Sequence, residues 1–254
     1  MKRNIPIALQ LYSVRNDCSD RGLPAILKDV AQMGYEGVEF AGFHKLTARE
    51  VRACLDENDL KVAGTHTPLP DLIGERLHQT IEYNREIGNR FVIIPSLPEE
   101  YRSSLDAWKK TADLFNELSE KLSGHGMSIG YHNHTVEFTP IDGVLPWDVF
   151  YGNTRKEVIM QLDTGNALAA GADVAPFIEK YPDRSITVHL KEHARDGEKK
   201  PVIGEGDVNW NEIFRLCEET GGTEWYIVEQ ESYAHPPMEC VRLCLENLKR
   251  MLQS

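Results

Sequence analysis

Eight short apolar runs rich in β-branched and aromatic residues alternate with longer amphipathic stretches along the chain. This rhythm predicts an α/β fold whose parallel strands close into a (β/α)8 TIM barrel. Two further observations select the closed barrel over an open, doubly wound sheet. Eight repeats within 254 residues match the usual size of such a barrel. Neither GxGxxG nor GxxxxGK(S/T) follows the first run, so the usual nucleotide-binding reason for an open sheet is missing. No Pro/Gly/Ser-rich linker divides the chain, and residues 1–254 read as one TIM-barrel domain.

The elements follow in order. The first strand is read over Ile5–Leu11 and the next helix over Leu23–Met33. Gly37–Phe40 is the second strand, before a helix over Ala48–Asn58 that Thr47 and Glu50 open with the spacing of a capping box. Val62–His66 pairs with the helix Arg76–Ile87, and Phe91–Pro95 with Leu105–Leu122. Ser128–His132 is the fifth strand and Val158–Asp163 the sixth, followed by a helix over Val174–Lys180. Ile186–Leu190 leads to Trp210–Glu219, and Trp225–Glu229 to Met238–Leu252. Gly34, Gly88, Gly124 and Gly221 stand where helices should end, a position that favours a left-handed residue.

The formal net charge of −12 opposes binding to nucleic acid, and basic residues cluster only in short pairs such as Lys109–Lys110 and Lys199–Lys200. Five cysteines without CxxC spacing fit free thiols in a reducing, cytoplasmic setting. The apolar part of MKRNIPIALQLYS is short and carries Gln10, a poor match to a signal peptide, and no apolar run reaches the ~18 residues of a membrane span. A small molecule is the expected partner. Self-association into a homo-oligomer is compatible with the sequence, because an exposed helix face and an interface face look alike in it.

Nearly every strand ends in something polar. Gln10, Tyr12 and Arg15 close the first, Glu39 the second and His66 the third, with Pro95–Ser96 after the fourth. His132, Asn133, His134 and Glu137 follow the fifth, Asp163 and Asn166 the sixth, His189 and Lys191 the seventh, Glu229 and Glu231 the eighth. One such residue means little, since most cap a helix or meet water. In a barrel, however, all strands end on one face. Asp163, His189 and Glu229 each follow an apolar run, and a cation shared among them satisfies all three when buried. Carboxylates and an imidazole suit one divalent ion such as Mn²⁺, Co²⁺, Zn²⁺ or Mg²⁺.

Glu137 is the expected fourth ligand. His132 and His134, which alternate along one strand face, are the alternatives, with roles toward substrate or behind the ligands if Glu137 binds. Lys191, two residues past His189, is placed to neutralise an oxyanion or to pair with an acidic neighbour. Tyr12, Phe40, Phe138 and Trp147 are candidates for a pocket wall or for the core, and Glu205 in GEGDVNW for the pocket or a plain turn.

At QLYSVR, GVEF, YHNHTVEF, LDTGN, HLKEH, GEGDVNW and VEQE the chain resembles the sugar phosphate isomerase/epimerase family, the xylose-isomerase-like TIM barrels. That group includes ketose 3-epimerases, inosose dehydratase, hydroxypyruvate isomerase and endonuclease IV. The resemblance implies one metal at the C-terminal mouth of the barrel, with Asp163, His189 and Glu229 as ligands. It departs at the fifth strand, where epimerase relatives carry a Glu roughly where His132 stands. A histidine-rich strand end occurs in dehydratase-like members.

The expected activity is a metal-dependent isomerase or epimerase that moves a proton beside the carbonyl of a keto-sugar or related polyol. Glu229 serves as acid or base on one face, Glu137 or His132 on the other, and Lys191 at the oxyanion. His66, His134, Glu39 and Gln10 are the expected substrate contacts. The rival readings are an inosose-dehydratase-like enzyme or keto-glycoside lyase working by β-elimination, a repair nuclease that the acidic composition opposes, and a sugar-binding barrel without chemistry.

Overall fold

The computed structural model describes residues 4–253. Eight parallel strands close into a barrel in sequence order: β1 (Ile7–Gln10), β2 (Gly37–Phe40), β3 (Lys61–His66), β4 (Phe91–Ile94), β5 (Ser128–His132), β6 (Ile159–Asp163), β7 (Thr187–Leu190) and β8 (Trp225–Val228). β8 pairs back onto β1 through Ile7–Tyr226 and Leu9–Val228, which completes the closure. Ten α-helices ring the strands among the described residues: α1 (Arg15–Arg21), α2 (Leu23–Met33), α3 (Ala48–Glu57), α4 (Arg76–Ile87), α5 (Leu105–Ser123), α6 (Pro146–Asn153), α7 (Thr164–Ala169), α8 (Ala175–Lys180), α9 (Trp210–Leu216) and α10 (Pro237–Gln253).

The period of two along each strand divides the core in two. Outward residues such as Leu9, Val38, Val92, Tyr131, Leu162, Val188 and Val228 pack beneath the helices in one large cluster. Inward residues Ala8, Ala63, Phe91, Ile93, Ile159, Trp225 and Ile227 fill the lower lumen. Gly37 leaves room for the Trp225 ring there, because a Cβ would stand 2.9 Å from it.

Moving toward the C-terminal ends, the inward positions turn polar: Ala8 gives way to Gln10, Ile159 to Gln161 and Asp163, Thr187 to His189, and Ile227 to Glu229. The apolar lower layers fix the barrel, and the polar upper layer becomes the floor of a site.

The capping box is formed. The Thr47 hydroxyl accepts from the Glu50 N–H at 3.3 Å, and the Glu50 carboxylate accepts from the Thr47 N–H at 2.8 Å. Gly34 and Gly88 take the left-handed backbone expected of them. Gly124 does not, with φ −62, and the left-handed residue after α5 is Gly126, two residues further on. Gly221 closes a π turn over Cys217–Gly221, and Gly222 takes the positive φ. The helix expected over Trp210–Glu219 is thus α-helical to Leu216 and continues as the π turn to Gly221. α1, α6 and α7 were not expected. All five cysteines are free, and no helix among the described residues is long and apolar enough to cross a membrane.

Candidate active site

The polar ends of β5 to β8 converge. One donor atom from each of His132, Asp163, His189 and Glu229 lies within 4.8 Å of the others, and all four residues are buried. His189 Nδ1 stands 3.1 Å from Glu229 Oε2 and 3.9 Å from Asp163 Oδ2, and His132 Nε2 is 3.9 Å from Glu229 Oε2. Donors bound at about 2.0–2.2 Å to one cation stand roughly 3–4 Å apart, which is this spacing.

Two buried atoms of the cluster, Asp163 Oδ2 and His132 Nδ1, have no hydrogen-bond partner. A buried carboxylate oxygen without a partner is costly, and a cation bound there relieves it. Asp163 also caps a helix, since its Oδ1 accepts from the Asn166 N–H at 2.6 Å at the start of α7. His66, His132 and His189 form a second grouping of donors, but His66 Nε2 already lies 2.8 Å from Gln161 Oε1 and 3.2 Å from Glu39 Oε2.

Glu137 does not join the cluster. It is buried on the turn after β5, where its carboxylate accepts from the Tyr131 hydroxyl and, at 2.7 Å, from the His134 N–H. Both of its oxygens are occupied, and the position expected for it falls to His132. The reason is local: His132 is the last residue of β5 and points inward by alternation, whereas the turn folds Glu137 back against the outward-facing Tyr131.

Glu39 and Gln10, expected to touch substrate, have no exposed surface. Gln10 Nε2 donates to Glu39 Oε2 at 2.6 Å, Gln161 Nε2 donates to Glu39 Oε1 at 2.7 Å, and His189 Nε2 lies 2.5 Å from Glu39 Oε2. Glu39 therefore fixes the His189 ring with Nδ1 turned to the cluster, the arrangement by which a carboxylate orients a metal-binding imidazole. Gly64 makes space for it, because a Cβ there would lie 2.6 Å from Glu39 Oε1. Gln161 sits inside β6, where no strand-end signal marks it, and its place two residues before Asp163 puts it on the same inward face.

The charges are strongly interdependent. Burial pushes the Asp163 carboxyl up to about 8, and Lys191 only partly offsets this. Burial alone would lower His189, but the carboxylates of Glu39 and Glu229 push it up to about 10. Burial would likewise raise Glu229, yet Lys191 and His189 hold it well below the usual range. Burial and the neighbouring His189 keep His132 well below the usual histidine range, so it is a neutral imidazole, the form that binds metals. Lys191 Nζ pairs with Glu231, donates to Asn166 Oδ1 at 3.1 Å, and lies 3.7 Å from Glu229 and 3.9 Å from Asp163.

Above the cluster opens a cavity of about 490 Å³, lined in part by Tyr12, His66, His132, His134, Glu229 and Glu231. Asp71 also lines it, a residue that no strand-end pattern marks. Phe40, Phe138 and Trp147 are core residues, and Glu205 lies exposed outside the cavity.

The comparisons agree with this architecture. A structure from Parabacteroides distasonis described as a sugar phosphate isomerase/epimerase is 25% identical, covers 97% of this chain and 94% of that chain, and superposes with a TM-score of 0.79. A second from the same organism, 22% identical, covers 97% and 98% with a TM-score of 0.83, which shows the shared fold. Among curated proteins, inosose dehydratase of Serratia proteamaculans is 30% identical over 146 residues, 50% of this chain and 48% of its own length. The match therefore spans about half of that relative. Inosose dehydratase of Clostridium beijerinckii is 22% identical over 243 residues, 81% and 80% of the two chains. The family model described as xylose isomerase-like TIM barrel matches residues 27–251, and the chain belongs to that family.

Proposed function

We propose that the chain is a divalent-metal-dependent enzyme that takes a proton from the carbon beside a carbonyl on a keto-sugar or related polyol, then expels a group from the next carbon. It would thus be a dehydratase or lyase. The observation that supports elimination is the makeup of the cluster: its fourth donor is His132, and Glu137 is bound up behind Tyr131. Where the epimerase relatives carry a Glu this chain has His132, which leaves Glu229 as the one glutamate of the cluster to exchange protons. Elimination needs one base and a separate acid.

His132, Asp163, His189 and Glu229 would hold the ion, and two imidazoles with two carboxylates suit Mn²⁺, Co²⁺, Zn²⁺ or Fe²⁺ better than Mg²⁺. A bound cation supplies Lewis-acid polarisation of the carbonyl oxygen. Glu229, ionised and lining the cavity, is the base. Lys191, whose ammonium form is favoured by Asp163, Glu229 and Glu231 against burial, carries a proton for the departing oxygen. His66 and His134 line the same cavity and are placed to bind hydroxyls. Glu39 and Gln10 act beneath the site by fixing His189.

A second reading, isomerisation or epimerisation, shares the first step. It draws support from His66 and His134, which face the cavity together with Glu229 and can return the proton to another carbon or face. Incubation of keto-sugars and keto-glycosides with Mn²⁺-loaded protein in D2O separates the two. A product lighter by the leaving group supports elimination, whereas a deuterated product of unchanged formula supports isomerisation. Glu229→Gln should lower either rate by about 10²–10⁴-fold, and full turnover by that variant would contradict its role as base. No exchange and no product across the panel, with metal bound, would favour a binding protein.

A further inference from the structure

The cavity over the cluster continues past the reacting centre. A second space of about 340 Å³ adjoins it, and Gly42, His66, Pro68 and Asp71 line both. Its wall is shaped by the backbone. Gly42, His44 and Lys45 take left-handed conformations, with φ of +100, 50 and 67, and curl the loop after β2. Phe43, held in this loop, packs on Tyr83 with ring centroids 4.1 Å apart and on Phe40 at 5.3 Å. The Tyr83 hydroxyl donates to the Leu46 carbonyl at 2.9 Å, which ties the loop to α4.

Polar groups complete the lining. Arg76 donates to Asp71 at 3.2 Å, and Gln79 stands exposed on the same helix. An aromatic pair beside an amide and a neutralised ion pair offers the mixed apolar and hydrogen-bonding surface that suits an uncharged sugar ring. Among the described residues lining the lobe, the one Arg or Lys is Arg76, and its charge is shared with Asp71.

We infer that this second lobe is a subsite for a second sugar ring, so that the substrate is a keto-disaccharide and the expelled group is a sugar rather than water. The inference rests on the elimination reading above. In the step, Glu229 takes the proton from the carbon beside the carbonyl, and that C–H electron pair becomes a carbon–carbon double bond. The bond from the next carbon to the linking oxygen breaks, and the oxygen leaves with its electron pair and accepts a proton from Lys191. Nothing is oxidised or reduced, and the proton on Glu229 restores the one lost from Lys191. The carbonyl must therefore lie two carbons from the linking carbon.

Two probes test the lobe separately from the chemistry. One is such a keto-disaccharide with methylene in place of its linking oxygen, and the other is the single ring ending in methyl at that position. Calorimetry with Mn²⁺-loaded protein should show the two-ring probe binding at least about tenfold more tightly. Gln79→Trp, which fills the lobe from an exposed position, should erase that preference and leave single-ring binding unchanged. Arg76→Ala should weaken the two-ring probe alone.

Equal binding of both probes by the wild type, or an unaltered preference in Gln79→Trp, would overturn the subsite. Exchange of the proton beside the carbonyl in D2O, read on the same probes, reports the chemistry. Exchange without ring preference keeps the proton-abstraction reading and discards the lobe. Preference without exchange keeps the lobe and discards elimination, and binding of neither probe discards both.

Discussion

Glu39 and Asp163 are both buried carboxylates on inward positions of neighbouring layers, and they differ in what their oxygens touch. Glu39 is surrounded by the amides of Gln10 and Gln161 and the rings of His66 and His189. Asp163 leaves Oδ2 without a hydrogen-bond partner among the described residues, with His189 and Lys191 no nearer than 3.9 Å. A buried carboxylate with its hydrogen bonds complete is satisfied as it stands, and one with an oxygen left over has a lone pair free for a cation. Glu137 falls on the Glu39 side of that divide, with both oxygens occupied. The same test sets Asp163 apart from Glu39 and Glu137, whereas Glu229 and His189 hydrogen-bond each other and share the cluster by position.

The sharpest way to break the comparison is to exchange the two candidates for the fourth ligand. His132→Ala should abolish stoichiometric metal binding, read by elemental mass spectrometry, while Glu137→Gln should bind as the wild type does. Equal metal loss in both would return Glu137 to the ligand set. Glu39→Gln keeps the shape of the support but weakens its hold on His189, and should lower metal affinity about 10–100-fold. No change in affinity would show that the Glu39–His189 contact does not orient the ring.

Proton competition gives a smaller, graded effect. With no cation bound, Asp163 is raised to about 8 and His189 to about 10, so both hold protons near neutrality that a metal must displace. Affinity should therefore fall as pH is lowered from about 8 to about 6, with proton release on binding detectable by calorimetry in buffers of different ionisation enthalpy. Binding independent of pH would contradict the cluster as its site.

Glu137→Gln should instead be felt in stability. It weakens two hydrogen bonds to a buried charge, worth about 1.5–3 kcal/mol each at most, so its thermal midpoint should drop with metal content intact. The smallest effect lies far from the site. Gly124→Ala, at an ordinary helical φ and with no atom closer than 3.7 Å to the new Cβ, should stabilise by about 0.4–1 kcal/mol. Gly126→Ala, at φ +72, should destabilise.

The barrel was readable because its strands are short apolar runs and its long helices are amphipathic, two periods that a sequence displays directly. Asp163, His189 and Glu229 were readable for the same reason, being polar residues at strand ends. The choice between His132 and Glu137 was not, since it depends on how a turn packs against Tyr131. Asp71 reaches the cavity from the short 3-10 turn Leu69–Asp71, too short for a periodicity to mark it. Of the short helices α1, α6 and α7, only α7 opens on a side-chain cap, and Asp163, a candidate ligand, supplies it. The two glycine misplacements lie one or two residues from the true left-handed positions, a distance within which a helix end can fray.

The central claim is that His132, Asp163, His189 and Glu229 hold one divalent ion. Elemental mass spectrometry of protein purified without chelator, as wild type and as Asp163→Asn, tests it most directly. The account predicts about one equivalent of Mn, Co, Zn or Fe in the wild type and its loss in the variant, with both proteins folded by circular dichroism. A wild type that binds no metal even after addition of Mn²⁺, or an Asp163→Asn variant that keeps a full equivalent, would contradict it.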